Sequence, residues 1–279
     1  MASRAVGAVD GRRAVTPVPE IPDGTHPALA AVTRAAFAAF NDARKRYPRA
    51  ELEEKVQMGA DGTLTTRLDI LVDTAVAEAV NAHKVNLLSE EIGVIDNGST
   101  VTLVVDPVDG TANAVAGVPF AAFAGAVAVD GKAIESITTW LDTGQSWHAK
   151  AGAPTRYRTS GRRALDGAAV SLLRPHARNE ATWLRVSRRA DRVRILSSSC
   201  LEAALVAQGS TDAFADAGSD THRIMDLAAA LVLVPAAGGA VVDAFGRAVE
   251  IDPDLSRRWS GVVAATPELA EQLAAEIHA

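Results

Sequence analysis

The chain has 279 residues, 48% of them hydrophobic, and its 28 Lys and Arg against 34 Asp and Glu leave a formal charge of −6. That length can bury a core in two modest domains or one large α/β unit, and no 18-residue apolar run lacks a charge or breaker, which excludes a transmembrane helix. One cysteine, Cys200, excludes a disulfide framework or a zinc site built of cysteines and fits a reducing cytoplasm, while mild acidity points away from nucleic acid.

Residues 1–26 are rich in Pro, Gly and Arg without periodicity and read as a mobile leader. They lack an apolar run of signal-peptide length, so secretion is not expected. A helix is expected after Pro27, with Leu29, Val32, Ala36, Phe37 and Phe40 on one face, ending before Pro48. A second is expected over 68–83, with Leu68, Val72, Ala75, Val76 and Ala79 inward. Short apolar runs at 85–88, 101–105, 120–129 and 133–140 read as strands, with Asp130-Gly131 as a hairpin turn.

Strands and helices alternate in the second half. Strands are expected over 168–173, 193–197, 212–215 and 261–265, and helices over 179–190, 201–208 and 224–236. Gly238 and Gly239 should stop the last of these in a left-handed cap, and Pro267 should open a terminal helix. This order predicts an α+β half over 27–150 and an α/β half over 151–279. Charge is divided too: from 155 to 195 eleven Arg face three acids, a local +8 that leaves −14 elsewhere. A solvated Arg-rich face and an anion-binding surface both fit that pattern.

The most informative stretch is Val104-Val105-Asp106-Pro107-Val108-Asp109-Gly110-Thr111. An apolar strand ends in a carboxylate, and the proline is expected to stop the ladder because it has no N–H to donate. A second carboxylate follows three residues on. Two carboxylates at the mouth of one strand repel unless a cation lies between them, and hard oxygen donors favour Mg²⁺. Gly110 permits a tight turn, and N–H groups at a following helix start suit a phosphate. An Asp-Pro turn with an Asx cap explains either aspartate alone but not the pair. Glu90-Glu91 also follows an apolar strand. Asp69 and Asp226 each open a helix, where simple capping is the plainer explanation.

Taken in order, these segments resemble the inositol monophosphatase superfamily of Mg²⁺-dependent, lithium-sensitive phosphatases. Its signature Asp-Pro-(Ile/Val/Leu)-Asp-Gly-Thr is matched by Asp106 to Thr111, and its upstream Glu-Glu by Glu90-Glu91. Its downstream Asp, ahead of a small-residue helix ending in Gly-Gly, is matched by Asp226 and Gly238-Gly239. The resemblance covers about 28–278. Gly59-Ala60-Asp61-Gly62-Thr63, Leu88-Ser89-Glu90-Glu91-Ile92-Gly93 and Arg223-Ile224-Met225-Asp226 look most like the archaeal type, which acts on inositol phosphates and fructose 1,6-bisphosphate.

The resemblance implies a layered αβαβα sandwich, usually a homodimer, that hydrolyses a small sugar or cyclitol phosphate with metal-activated water. Glu90, Asp106 and the carbonyl of Val108 would hold one Mg²⁺. Asp106, Asp109 and Asp226 would hold a second, and Glu90 with Asp69 through water a weaker third, so each active site takes two or three ions. Thr111, bonded to Asp69, would orient the attacking water, making Asp69, Glu90 and Thr111 the catalytic group. The N–H groups of Gly110 and Thr111 would cradle the phosphate beside Asp109. This suits phosphoryl transfer, which needs charge neutralisation and in-line positioning more than a covalent nucleophile.

Some positions depart from the family pattern. Ser197-Ser198-Ser199-Cys200 replaces a Gly-Ser or Gly-Thr that touches the substrate ring, which makes Ser198 a candidate contact. Asp216 stands where relatives bind a sugar hydroxyl. Arg192 and Arg194, just before Ser197, are candidates to hold a second phosphate and so to favour a bisphosphate. Alternatives are a nucleotide phosphatase acting on 3′-phosphoadenosine 5′-phosphate, a histidinol-phosphate phosphatase, or a non-catalytic sugar-phosphate-binding protein. The expected partner is a small phosphorylated metabolite, with neither nucleic acid nor membrane.

Overall fold

The computed structural model describes residues 18–279. In chain order the elements are α1 (Pro27–Arg46), α2 (Arg49–Leu52), β1 (Lys55–Met58), β2 (Leu64–Thr66), α3 (Arg67–His83), β3 (Asn86–Ser89), β4 (Gly93–Ile95), β5 (Val101–Asp109) and α4 (Thr111–Ala116). They continue with β6 (Ala122–Val129), β7 (Lys132–Trp140), β8 (Ser146–Lys150), β9 (Ala169–Leu172), α5 (Glu180–Arg189), β10 (Arg192–Arg194), α6 (Ser199–Ala207) and β11 (Ala213–Ala215). The last are α7 (Ile224–Ala228), α8 (Ala230–Ala236), β12 (Ala240–Asp243), β13 (Gly261–Ala264) and α9 (Pro267–His278).

Two sheets carry the fold. One has six strands in the order β4-β3-β5-β6-β7-β8; the other has five, in the order β10-β9-β11-β13-β12. Helices α1 and α3 cover one face of the larger sheet, and α6, α7 and α8 pack against its other face. The inner helices α6 and α8 also touch the smaller sheet, whose far side carries α5 and α9. The result is five layers, α-β-α-β-α, in the arrangement that the resemblance implies. Because the larger sheet is covered on both faces, β5 is buried at every position from Leu103 onward and lacks the alternation of a half-solvated strand. Among the described residues no helix is long and apolar enough to cross a membrane.

Local causes are visible at the ends of the elements. α1 buries the expected stripe of Leu29, Val32, Ala36, Phe37 and Phe40 and gives way to extended backbone at Tyr47, before Pro48. α3 opens with a reciprocal capping box: Asp69 N–H donates to Thr66 Oγ1 while the Asp69 carboxylate accepts from Thr66 N–H. Of the expected leader, 1–17 lie outside the described residues. Residues 18–26 run beside the larger sheet, with Glu20 N–H donating to Gly144 O (2.8 Å) and Lys150 Nζ to Gly24 O (2.7 Å).

Several expectations need correction. The ribbon of β1 and β2 was not foreseen, since every residue of β1 is exposed and no period-2 pattern betrays it. The strand expected over 193–197 stops at Arg194, because the chain must turn to a positive φ of 61° at Ser197. The helix expected over 224–236 is two, α7 and α8, separated at Ala229.

Gly238 takes the left-handed cap (φ 96°), and a Cβ on its neighbour Gly239 would overlap the Ala264 carbonyl oxygen of β13. Gly239→Ala is therefore expected to lower unfolding free energy by about 1–3 kcal/mol, the usual range for overpacking against fixed backbone. Urea denaturation monitored by circular dichroism checks this; an unchanged midpoint would refute the close approach.

Candidate active site

The site starts from a register irregularity. β5 pairs regularly with β6 from Val101↔Val129 to Asp106↔Ala124, then resumes at Asp109↔Ala122. Three steps on β5 therefore match two on β6, leaving one extra residue around Pro107 and Val108. Pro107 bulges the ladder rather than ending it, which corrects the expected strand stop. In a regular strand, residues three apart face opposite sides. The bulge cancels that inversion and lets Asp106 and Asp109 serve one side.

Each aspartate is then fixed locally. Asp106 Oδ1 accepts the Val108 N–H (3.1 Å). The Asp109 carboxylate meets the start of α6, accepting from Ser199 N–H (3.1 Å), Cys200 N–H (2.9 Å) and the Ser198 hydroxyl. Those N–H groups have no partner inside the helix, and the positive end of the helix dipole faces the carboxylate. Gly110 then turns through φ 83°, where a Cβ would lie 3.0 Å from Phe120 O and 3.1 Å from Ser197 O. Asn113 ties the same three segments together by donating Nδ2–H to Phe120 O (2.9 Å) and Leu196 O (2.8 Å).

Asp69 reaches the site from the first turn of α3. Its Oδ1 accepts from Thr111 Oγ1 (2.7 Å), which also lies 2.9 Å from the Val108 carbonyl; its Oδ2 accepts from Thr66 Oγ1 (2.7 Å). The hydroxyl of Thr111 is thereby oriented between two acceptors. Gly110 and Thr111 open α4 with N–H groups that have no helical acceptor.

Glu90 and Glu91 follow β3. Glu90 lies 3.2 Å from Arg223 Nη1, and Arg223 Nη2 pairs with Asp61 from the tip of the β1–β2 ribbon. Glu91 accepts from the Thr65 hydroxyl. The turn is held from behind by Asp73 on α3, which accepts from Ser89 Oγ (2.8 Å) and Ile92 N–H (3.0 Å). Asp226 faces the same cluster, its carboxylate taking the Arg223 N–H at 2.6 Å. A cavity of about 440 Å³ opens here, lined by Lys55, Thr66, Asp69, Glu90, Glu91, Thr111 and Arg223, among others.

These carboxylates strain against one another. Burial, reinforced by the charges of Glu90, Asp109 and Asp226, holds Asp106 well above the usual carboxylate range. Burial likewise raises Glu90, with Arg223 opposing and Asp226 and Glu91 adding to the rise. Burial and the Asp226 charge push Asp109 up to about 6 despite its three donors, and burial takes Glu91 to about 7. Asp69 is raised by burial against its threonine bonds. A cluster of buried, mutually repelling oxygen ligands with so few cations nearby has the donor chemistry of a Mg²⁺ centre.

Glu90, Asp106, Asp109, Asp226, Asp69 and Thr111 thus converge as expected. Other expected contacts lie elsewhere. Ser198 spends its hydroxyl on Asp109, and Asp216 is fully buried, accepting from Ser219 N–H (2.8 Å), Ser219 Oγ (2.5 Å) and Thr221 N–H (2.9 Å), so it closes a loop. Arg192 is exposed beside Asp191 (3.6 Å), and Arg194 has a buried Nη1 without a partner among the described residues; neither lines the cavity. Much of the Arg-rich stretch is structural, since Arg185 and Arg189 of α5 clasp Glu276 of α9, and Arg162 reaches Asp212 (3.5 Å). Arg223, Asp61 and Asp73 went unassigned as site residues. Arg223 and Asp61 sit inside segments already read for other residues, and Asp73 carries no signal beyond its place on α3.

A layered sandwich whose buried carboxylates gather at strand ends, beside the N–H groups that open α4, has the donor set to take a divalent cation and a phosphate. The chain belongs to the inositol monophosphatase family, whose sequence profile matches residues 25–279. It is 32% identical over 246 residues to the fructose-1,6-bisphosphatase/inositol-1-monophosphatase of Methanothermobacter thermautotrophicus, covering 79% of this chain and 85% of that protein. It is 28% identical over 236 residues to a bifunctional NADP phosphatase/NAD kinase of Methanococcus maripaludis. That match takes 74% of this chain but only 42% of the relative, so the chain spans less than half of that longer protein. Among solved structures, the MJ0109 gene product, an inositol monophosphatase-fructose 1,6 bisphosphatase, superposes with a TM-score of 0.76 at 25% identity, covering 86% of this chain and 95% of that one.

The raised carboxylates fix the sign of a metal and pH effect. Asp109 moves from an ordinary 3.8 to about 6, so its ionisation costs the fold nothing below about 3.8, where it is protonated folded and unfolded alike, and destabilises the fold progressively as pH rises from there to about 6. A divalent cation removes that cost and competes with protons for the same oxygens. Adding Mg²⁺ should therefore raise Tm more at about pH 8 than at about pH 5. Scanning calorimetry checks this; an equal or larger gain at the lower pH would refute it.

Proposed function

We propose that the protein is a Mg²⁺-dependent phosphomonoesterase acting on a small sugar or cyclitol phosphate, inositol monophosphate and fructose 1,6-bisphosphate being the substrates that the names of several relatives give. The observation that carries this reading is the Asp69–Thr111–Val108 hydrogen-bonded array at the edge of the buried carboxylate cluster. Glu90, Asp106, the Val108 carbonyl, Asp109 and Asp226 would hold two or three ions. Bound there, Mg²⁺ supplies charge neutralisation for phosphoryl oxygens and acidity to water. In this reading residues 27–150 carry most of the ligands, and 151–279 complete the centre with Asp226 and the α6 N-terminus.

The chain's own groups do the positioning. Thr111, held by Asp69, presents a hydroxyl lone pair to the attacking water, and Asp69 is a buried base able to take up its proton through that hydroxyl. The N–H groups of Gly110 and Thr111 orient the phosphate. A second anion finds better support at Arg174 and Arg178 than at Arg192. Strands β9, β10 and β11 are parallel, so the loop after β9 opens on the same end as Ser198 and Arg223, and both arginines there are exposed. NADP is a second substrate reading, favoured by the similarity to the bifunctional NADP phosphatase/NAD kinase. A cytoplasmic homodimer, as implied by the family resemblance and the lone cysteine, completes the proposal.

Phosphate release from inositol 1-phosphate, fructose 1,6-bisphosphate, NADP, 3′-phosphoadenosine 5′-phosphate and histidinol phosphate, with Mg²⁺ added or chelated, tests this reading. Turnover should require Mg²⁺ and vanish in Asp109→Asn. Thr111→Ala should lower kcat on the order of 10²-fold with a smaller change in KM. Arg174→Ala with Arg178→Ala should weaken bisphosphate turnover selectively. No release from any of these esters would sink the enzyme reading, and equal losses on mono- and bisphosphates would sink the second-anion role.

A further inference from the structure

The turn between β10 and α6 carries more of this centre than its length suggests. Ser197 holds a left-handed backbone (φ 61°), which is costly for a residue with a Cβ. The turn packs on Gly110, where Ser197 O and Ser198 Cβ leave no room for a side chain. From it α6 presents the Ser198 hydroxyl and the Ser199 and Cys200 N–H groups to Asp109. A shift of the turn would therefore disturb the donors of Asp109 and the Gly110 backbone together.

Two side chains hold it, from opposite sides. On the carbonyl side Asn113 Nδ2 donates to Leu196 O (2.8 Å) and Ser197 O (3.3 Å). On the N–H side stands Glu202, one turn further along α6. Its Oε2 accepts the Ser198 N–H (3.3 Å), and its own N–H donates to Ser198 O (2.9 Å). Glu202 is 0% exposed, and its Oε1 is buried without a hydrogen-bond partner among the described residues. Its neighbours Leu201, Ala203, Ala204 and Val206 are buried and apolar, so packing alone would favour an apolar residue here. What the carboxyl adds is an acceptor for the turn. Burial, with the Asp109 charge adding and the Ser198 N–H opposing, pushes it up to about 8. The group is uncharged at neutral pH, and glutamine is its near-isostere.

We propose that Glu202 is a positioning residue of the metal centre: its carboxyl holds the 196–198 turn from the N–H side and so keeps the start of α6 aimed at Asp109. This rests on the reading that Asp109 is a metal ligand. Glu202 touches neither ion nor substrate; it acts through Ser198 and the N–H groups that follow it. Its loss should loosen Asp109 and weaken the hold on the cation more than the hold on the ester.

The test compares full-length wild type with Glu202→Met, which keeps the bulk and removes the acceptor, and Glu202→Gln, which restores one. Folding is checked by circular dichroism, with Glu202→Ala replacing Glu202→Met should the latter not fold. By calorimetry on metal-stripped protein, Glu202→Met should bind Mn²⁺ at least about 10-fold more weakly than wild type, and Glu202→Gln within about twofold of it. The Mg²⁺ concentration for half-maximal turnover should rise by a similar factor in Glu202→Met, with KM for the ester at saturating Mg²⁺ changed by less than about twofold. A purely structural role would lower Tm without moving the metal requirement. Wild-type Mn²⁺ affinity in Glu202→Met, or Glu202→Gln as weak as Glu202→Met, would overturn the proposal. Wild type that binds Mn²⁺ yet hydrolyses no ester would sink the enzyme reading and leave the Mn²⁺ comparison to decide Glu202; wild type without Mn²⁺ affinity would overturn both.

Discussion

Asp106 and Asp109 are held on one side of a buried strand by the bulge at Pro107, and the cost of burying them together shapes what surrounds them. Each carboxylate in water is well solvated; inside the protein that solvation must be replaced by donors, by cations or by protonation. Donors serve Asp109, which meets the N-terminus of α6 and the Ser198 hydroxyl. A guanidinium serves Glu90 through Arg223, which also draws in Asp61 and hence the tip of the β1–β2 ribbon. Asp106 is left with one recorded donor, the Val108 N–H, and burial among neighbouring carboxylates raises its proton affinity.

The architecture supplies these partners from distant segments. The larger sheet brings β3 and β5 side by side in parallel, so Glu90 and Asp106 leave neighbouring strand ends. The smaller sheet delivers the α6 start and Asp226 from its parallel strands, and the two sheets share the layer containing α6, α7 and α8. Close approach between these bodies is possible because Gly110 has no side chain where Phe120 O, Ser197 O and Ser198 converge. Ser197 accepts a left-handed backbone for the same junction, although it is not glycine.

The charge division reads differently once the fold is known. The Arg-rich stretch suggested either a solvated face or an anion surface, and its members divide between structural and open roles. Arg185 and Arg189 join α5 to α9 through Glu276, a tie between elements far apart in sequence. Arg174 and Arg178 remain exposed at the carboxyl end of β9. Part of the acidic remainder lines the cavity as Glu53, Asp69, Glu90 and Glu91, beside the basic Lys55 and Arg223.

Local chemistry made much of this legible in the sequence. Apolar periodicity located α1, α3, α5 and most buried strands, and the Asp-Pro-Val-Asp-Gly-Thr run marked the metal-type carboxylates, because those residue types in that order are costly to bury without a cation. Exposed β1 and the short strands β8 and β12 escaped notice, since pairing partners rather than their own pattern hold them in place. Sequence spacing also could not say that Asp216 would spend its oxygens on a loop or that Asp73 would brace the Glu90 turn. Nor could it say that the thiol of Cys200 would donate to the Met225 and Asp226 carbonyls of α7. Those outcomes depend on which segments meet, and that is decided by long-range packing and strand register. The sequence by itself therefore determined the elements and the carboxylate-bearing motifs; only the tertiary structure, through strand register and long-range packing, decided which of those charges meet and which donors each one finds.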